Sequence, residues 1–230
     1  MLFVTDLVYR KIDINKITDI ITSISYFFLI PISSTVYAQQ HNTPSNNQNE
    51  DVPRPIVHVT IEGTDNNDKI RGGDGNDKIT GANGDDTLNG GMGDDKLKGG
   101  DGNDKINGEL GDDDLHGGDG NDNIKGESGD DKLFGDEGED KLDGGKGNDE
   151  LDGGKDNDKI KGGDGNDELD GGDGDDELDG GEGKDKMKGG KGADTFICDL
   201  ADKITDFNSA EGDKKTGQCS VDDEYSIQKT

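Results

Sequence analysis

The chain has 230 residues, 55 of them acidic and 25 basic, for a formal charge of −30; 25% is hydrophobic, 4% is aromatic, and there is no Trp. A globular domain of this length draws nearly half its residues from apolar types, so a conventional core is excluded. Low hydrophobicity with high net charge leaves a chain unfolded unless something besides burial supplies folding energy. The acidity also excludes nucleic acid as a partner, because phosphates repel it and no basic patch relieves the repulsion. The partners such a charge favours are cations.

Residues Ile20–Ile32 (IITSISYFFLIPI) are almost wholly apolar or hydroxylic, and Arg10, Lys11 and Lys16 precede them. Val36, Tyr37 and Ala38 follow, with small or branched residues where a signal peptidase cuts. This pattern predicts a secretory signal over 1–38, cleaved after Ala38, and therefore a secreted, extracellular protein. The apolar run is short against the roughly 20 residues of a membrane span; retention as an anchor at the outer face is the alternative. Residues 39–55 are polar and Pro-bearing, the composition of a flexible linker. In 56–62 (IVHVTIE), Val57, Val59 and Ile61 alternate with polar residues, which predicts a capping strand.

From Gly63 the chain repeats in nines: GTDNNDKIR, GGDGNDKIT, GANGDDTLN, and so on without a gap to GGKGADTFI, ending at Ile197. There are fifteen units. All have Gly at position 1, Asp at position 6 and a large apolar residue at position 8; position 4 is Gly in thirteen and position 2 in ten. Glycines at 1, 2 and 4 predict a turn over positions 1–6, with positive φ and close approach to the backbone. Asn66, one of two exceptions at position 4, is tolerable there because Asn visits the left-handed region. Positions 7–9 then form a three-residue strand whose middle side chain faces inward and whose neighbours face water.

Such a strand is stable only when stacked. Two units complete one coil of eighteen residues, with two parallel sheets facing each other over a thin core of position-8 side chains. One apolar side chain in nine does not offset the cost of ordering a Gly-rich chain. Stacking also packs the position-6 carboxylates into two rows, within repeats that hold 41 acidic and 17 basic residues. A hard divalent cation reverses the sign: Ca²⁺ takes six to eight oxygens and mixes carboxylates with backbone carbonyls. An ion between turns on one edge would join unit n to unit n+2, allowing up to about thirteen ions. Mg²⁺ fits less well because it demands octahedral geometry and keeps its waters. Zn²⁺ is disfavoured, since the repeats contain one His and no Cys.

Tandem GGxGxDxUx, matched at every fixed position by GGDGNDKIT, GGDGNDKIN and GGDGNDELD, resembles the RTX, or haemolysin-type, calcium-binding nonapeptide repeat. The resemblance covers 63–197. It implies an all-β, right-handed parallel β-roll (a β-solenoid) with Ca²⁺ held by position-6 Asp and turn carbonyls. Carried over, the carboxylate ligands would be Asp68, Asp77, Asp86, Asp95, Asp104, Asp113, Asp122, Asp131, Asp140, Asp149, Asp158, Asp167, Asp176, Asp185 and Asp194. The carbonyls would include those of Gly72, Gly99, Gly117, Gly162 and Gly171. Residues 201–213 resemble the family's terminator, with Asp202 and Ile204 keeping the Asp-x-apolar spacing one residue short. The chain departs from the family in three ways: 39–62 has no room for a toxin, protease or lipase domain; the export signal is N-terminal; and Asp156 stands where Gly belongs. Lys184, Lys191 and Ala193 in the last two turns should weaken the sites there.

No catalytic constellation emerges. His41, His58 and His116 lie in three separate segments, and Ser128, the one Ser of the repeats, has no partnered His nearby. No enzymatic activity and no catalytic substrate are therefore expected. Lys at position 7 in eight units reads as a solvated outer face. His116 and Phe134, both at position 9, are expected to be exposed and near each other on one sheet. Cys198 and Cys219 suggest a disulfide in a secreted chain, closing a C-terminal cap over 198–230. A cell-surface or polysaccharide partner, with the roll as a calcium-stiffened adhesion or matrix spacer, is the alternative function.

Overall fold

The computed structural model describes residues 35–37 and 57–221. Apart from 35–37, the expected signal (1–38) lies outside the described residues, as do the linker (39–55) and the last residues, 222–230. The described chain is all β. It opens with β1 (Thr35–Tyr37), β2 (Thr60–Glu62), β3 (Lys69–Asp74) and β4 (Lys78–Asn83), after which a strand begins every nine residues through the repeats. Among the described residues there are twenty strands, ten in each of two sheets, and alternate strands share a sheet. Every pairing is parallel at an eighteen-residue offset within the repeats, as in Ile70↔Leu88 and Ile79↔Leu97. Ten strands at roughly 4.8 Å spacing make a roll about 43 Å long.

Most strands of the repeats are six residues long, not three. A typical one is Lys141-Leu-Asp-Gly-Gly-Lys146, positions 7–9 of one unit and 1–3 of the next. Positive φ at position 2, as at Gly145 (108°), bends the strand without ending its ladder, so Gly145 and Lys146 still pair with Gly163 and Asp164. The turn shrinks to positions 4–6. Position 1 faces inward beside position 8, and position 9 is half-buried in many units rather than uniformly in water. All fifteen position-8 residues, from Ile70 to Phe196, are at most 2% exposed and form one continuous core with Ile204 and Cys219.

Glycine serves two different needs. Position 2 turns on positive φ, which Ala82, Glu109, Glu127 and Asp136 also adopt, and its glycines other than Gly73 also lie close to a carbonyl of the preceding coil, as Gly118 does to that of Gly100. Position 1 is not among the positive-φ residues and is Gly for lack of space. At position 4, Asp156 accepts φ +71°, whereas Asn66 does not take the left-handed conformation expected of it.

Both ends extend the roll. β2 pairs with β4 through Ile61↔Ile79, so the N-terminal strand is a unit preceding the first repeat, confined to Thr60–Glu62. β1 pairs with β3 through Val36↔Ile70, starting the other sheet one residue before the expected cleavage point. The eighteen-residue period would instead offer Asp51-Val52-Pro53, whose Pro cannot donate to a ladder; Thr-Val-Tyr has the stronger strand propensity. Past the repeats, Lys203–Ile204 joins the strand ending the fourteenth unit at a seventeen-residue offset, and Lys214–Gly217 joins Thr195–Cys198 at nineteen. A disulfide links Cys198 to Cys219, and Phe207 packs on Phe196 with ring centroids 6.2 Å apart.

Candidate metal centre

The Asp at position 6 closes the turn and stands two residues before the inward-facing position 8, so its side chain also points to the interior. All fifteen, Asp68 to Asp194, are at most 3% exposed. They stand in two rows, one on each edge of the roll. Within a row, the backbone N–H of one Asp donates to Oδ1 of the Asp two units on, at 2.7–3.0 Å, as in Asp68→Asp86, Asp113→Asp131 and Asp176→Asp194. Val59, at the equivalent place before the repeats, donates to Asp77 Oδ1 and begins one row. Each carboxylate is thus half used. The other oxygen, Oδ2, is buried without a hydrogen-bond partner in thirteen of them, Asp77 through Asp185. A buried carboxylate oxygen left unpaired is costly.

The orphaned oxygens face position 1 of their own unit. An ideal Cβ on Gly117 would stand 2.1 Å from Asp122 Oδ2 and 2.7 Å from the Gly135 carbonyl oxygen. On Gly99 it would stand 2.0 Å from Asp104 Oδ2 and 2.6 Å from the Gly117 oxygen. The carbonyls of Gly99, Gly162 and Gly171 hold the same place beside the units before them, and Gly72 backs onto Asp77 Oδ2. Each interior turn therefore pairs one carboxylate oxygen with one peptide oxygen from the next unit in its row.

Electrostatics add to the unpaired state. Burial pushes the carboxyls of Asp86, Asp95, Asp131, Asp140, Asp149, Asp167, Asp176, Asp185 and Asp194 up to about 6. It takes Asp113 and Asp122 to about 7 and Asp158 to about 8. Asp77 and Asp104 are raised by the same cause. The backbone N–H on Oδ1 opposes the shift, and neighbouring carboxylates in most of these sites reinforce it. At neutral pH the carboxyls near 6 are largely ionised while Asp113, Asp122 and Asp158 are half or more protonated, and a bound positive charge would favour the ionised form along both rows.

The donor set fits a hard cation. Among the described residues no three His, Cys, Asp or Glu side chains gather as a metal site, so peptide oxygens would complete any coordination shell. Calcium accepts that mixture; zinc and softer ions do not.

A second ladder escaped the sequence reading. Position 5 is Asn or Asp in twelve units, and in ten of them its Oδ1 accepts the N–H of position 5 two units on, in the opposite sense to the Asp row, as in Asn103→Asp85, Asn121→Asn103 and Asn148→Asp130. His58 Nδ1 accepts from Asn76 N–H and serves as that ladder's first rung on one edge. The Asn/Asp bias was the visible signal, though it also reads as ordinary turn chemistry.

On the outer faces, lysines at position 7 pair along the column, as Lys96 with Asp114 at 2.6 Å and Lys132 with Glu150. His116 and Phe134 stack with centroids 4.5 Å apart, and both are half-buried rather than exposed, because each covers the other.

A family model described as the RTX calcium-binding nonapeptide repeat matches residues 62–97, 89–124, 116–151, 125–160, 143–177 and 161–196. No curated protein matches the chain.

Proposed function

Because the chain belongs to the RTX calcium-binding nonapeptide repeat family, we propose that it binds multiple Ca²⁺ ions cooperatively and folds as it does so. The observation that carries this reading is the file of thirteen buried, unpartnered Oδ2 atoms, each beside a glycine that leaves room for nothing larger than hydrogen. The Oδ2 atoms of the position-6 Asp row and the carbonyls of position-1 glycines would hold the ions. Bound calcium supplies a dense positive charge with six to eight oxygen positions. The Oδ1 atoms meanwhile fix each carboxylate to the neighbouring coil, so filling one gap orders the next.

Up to about thirteen ions would fit between turns. Their affinity belongs in the range of about 10⁻⁴ to 10⁻³ M of extracellular modules, which keeps the chain unfolded where calcium is scarce. With the N-terminal signal expected from the sequence, the chain is exported as a coil and folds outside the cell. No catalytic role is assigned to it.

Circular dichroism with and without millimolar Ca²⁺ tests the reading. The expected result is a disordered spectrum in EGTA and a β spectrum with cooperative onset on adding calcium. A chain already β-rich and cooperatively melting in chelator would overturn it.

A further inference from the structure

In a tandem repeat every position has an expected residue, so departures gathered at one place are informative. Three fall in one gap on one edge of the roll, between the ninth unit (135–143) and the eleventh (153–161). Asp136 is the one Asp at position 2, Glu139 the one Glu at position 5 and Asp156 the one Asp at position 4. Asp136 and Asp156 hold positive φ, +74° and +71°, where glycine would be free of strain. Glu139 N–H donates to Asn121, but among the described residues its carboxylate does not continue the ladder, which resumes with Asp175 on Asn157.

This gap also has the inner features of a cation site. Asp140 and Asp158 are each 1% exposed, Asp140 N–H donates to Asp158 Oδ1 at 2.8 Å, and both Oδ2 atoms lack a partner. An ideal Cβ on Gly135 would stand 2.3 Å from Asp140 Oδ2 and 2.4 Å from the Gly153 oxygen. Asp136 and Asp156 both bear electrostatically on Asp140, and Asp156 also on Asp158. Asp136 Oδ2 lies 3.6 Å from His116 Nδ1, whereas Glu109, at position 2 of the sixth unit, is held closely by Arg71 at 2.8 Å and Asn89 at 2.7 Å. Glu137 is likewise paired with Lys155.

We propose that the sites of the roll are unequal, and that the gap between Asp140 and Asp158 is its tightest calcium site and the first to fill. Asp136 and Asp156 act there through their field rather than as ligands. The inference rests on the calcium-binding reading above. Calcium affinity is tuned by local charge, and one added carboxylate about 7 Å from a dication is worth up to several-fold in affinity in a water-like medium.

The test is calorimetric titration of the full chain with CaCl₂ at pH 8 and fixed ionic strength, comparing wild type with Asp136→Asn plus Asp156→Asn. Asn keeps the side-chain shape and tolerates positive φ, so folding at saturating calcium should survive. A control, Glu150→Gln plus Glu177→Gln, removes the same charge from the outer face. The Asn pair should weaken the tightest phase about tenfold, and the control should shift all phases slightly and alike. At sub-saturating calcium, hydrogen exchange should show residues 135–161 protected first in wild type but not in the Asn pair. Retention of the tight phase by the Asn pair, or an equal loss in the control, overturns the proposal. If wild type takes up no calcium at all, it is the calcium-binding reading that falls.

Discussion

The interior of the roll and its ends carry the same carboxylate row but treat its second oxygen differently. In the interior, Oδ1 is bonded to the neighbouring coil and Oδ2 is left unpaired. At the ends the chain supplies its own donor. Asp68 Oδ2 accepts Thr64 N–H at 2.6 Å, Asp202 Oδ2 accepts Asp199 N–H at 2.7 Å, and Asp213 Oδ2 accepts Asn208 N–H at 2.7 Å. Asp202 and Asp213 still extend the rows, receiving Asp185 N–H and Asp194 N–H on Oδ1, each at 3.1 Å. Past the repeats, turns that break the nine-residue period have slack to bring a peptide N–H to the buried oxygen; in the first unit, which keeps the period, position 2 is Thr64, without the positive φ of the later units, and its N–H turns to Asp68. An interior turn with positive φ at position 2 brings no such donor and leaves that oxygen for a cation.

The largest consequence concerns calcium withdrawal. As free calcium is lowered, amides in the interior coils should lose hydrogen-exchange protection by orders of magnitude before those of the last coil and residues 198–221. Exchange followed by mass spectrometry at stepped calcium concentrations reads the order directly. Equal or earlier loss at the C-terminal end would show that the backbone donors there do not replace the ion.

The next effect separates the two uses of glycine. Gly117→Ala puts a methyl 2.1 Å from Asp122 Oδ2, and a clash with a buried carboxylate should cost about 3 kcal/mol, the upper end of overpacking. Gly73→Ala meets nothing within 4 Å but must hold φ +120°, costing about 1–2 kcal/mol. Calcium midpoints should therefore shift much further for Gly117→Ala. The reverse ranking would mean that space around Oδ2 is not what position 1 protects.

These distinctions mark what the sequence could and could not convey. The period, the inward position 8 and the buried Asp row were legible, because each repeats fifteen times against a background with few other apolar groups. Strand length was misread, since a glycine pair looks like a turn, while Gly145 and Lys146 keep their register through positive φ. The Asn/Asp ladder was hidden because the same residues are common in turns for local reasons. β1 lay outside the period altogether, and nothing in Thr35–Tyr37 by itself says that it pairs with Lys69–Arg71. The orphaned Oδ2 atoms needed coordinates: composition marks Asp as a ligand type but cannot show that one oxygen is already spent on the backbone.

Protonation offers a milder way to relieve the interior. Unfolded aspartates titrate near 4, while burial pushes those of the calcium-free roll up to about 6 for Asp131 and about 8 for Asp158. A carboxyl raised on folding contributes stability that is full below about pH 4 and lost as pH climbs through 6 to 8. In chelator, β content should therefore rise as pH is lowered from 8 toward 4. In calcium the slope reverses, because protons displace the ion from the same oxygens and the calcium midpoint climbs below about pH 6. Circular dichroism across pH in both conditions checks the crossing; parallel slopes would mean the rows do not govern folding.

Reducing the disulfide should have the smallest and most local effect. Cys198 and Cys219 are separated by 21 residues, a loop for which chain entropy predicts a contribution of about 3 kcal/mol to the closed end. That contribution is confined to the segment whose carboxylates already have backbone donors, and it leaves the interior Oδ2 atoms unpaired as before. Dithiothreitol at saturating calcium should raise exchange in 198–221 while leaving the calcium stoichiometry and the protection of 81–179 unchanged. If reduction instead lowered the number of ions bound in the interior, end and interior would form one cooperative unit, and the division of labour between backbone donors and metal would have to be abandoned.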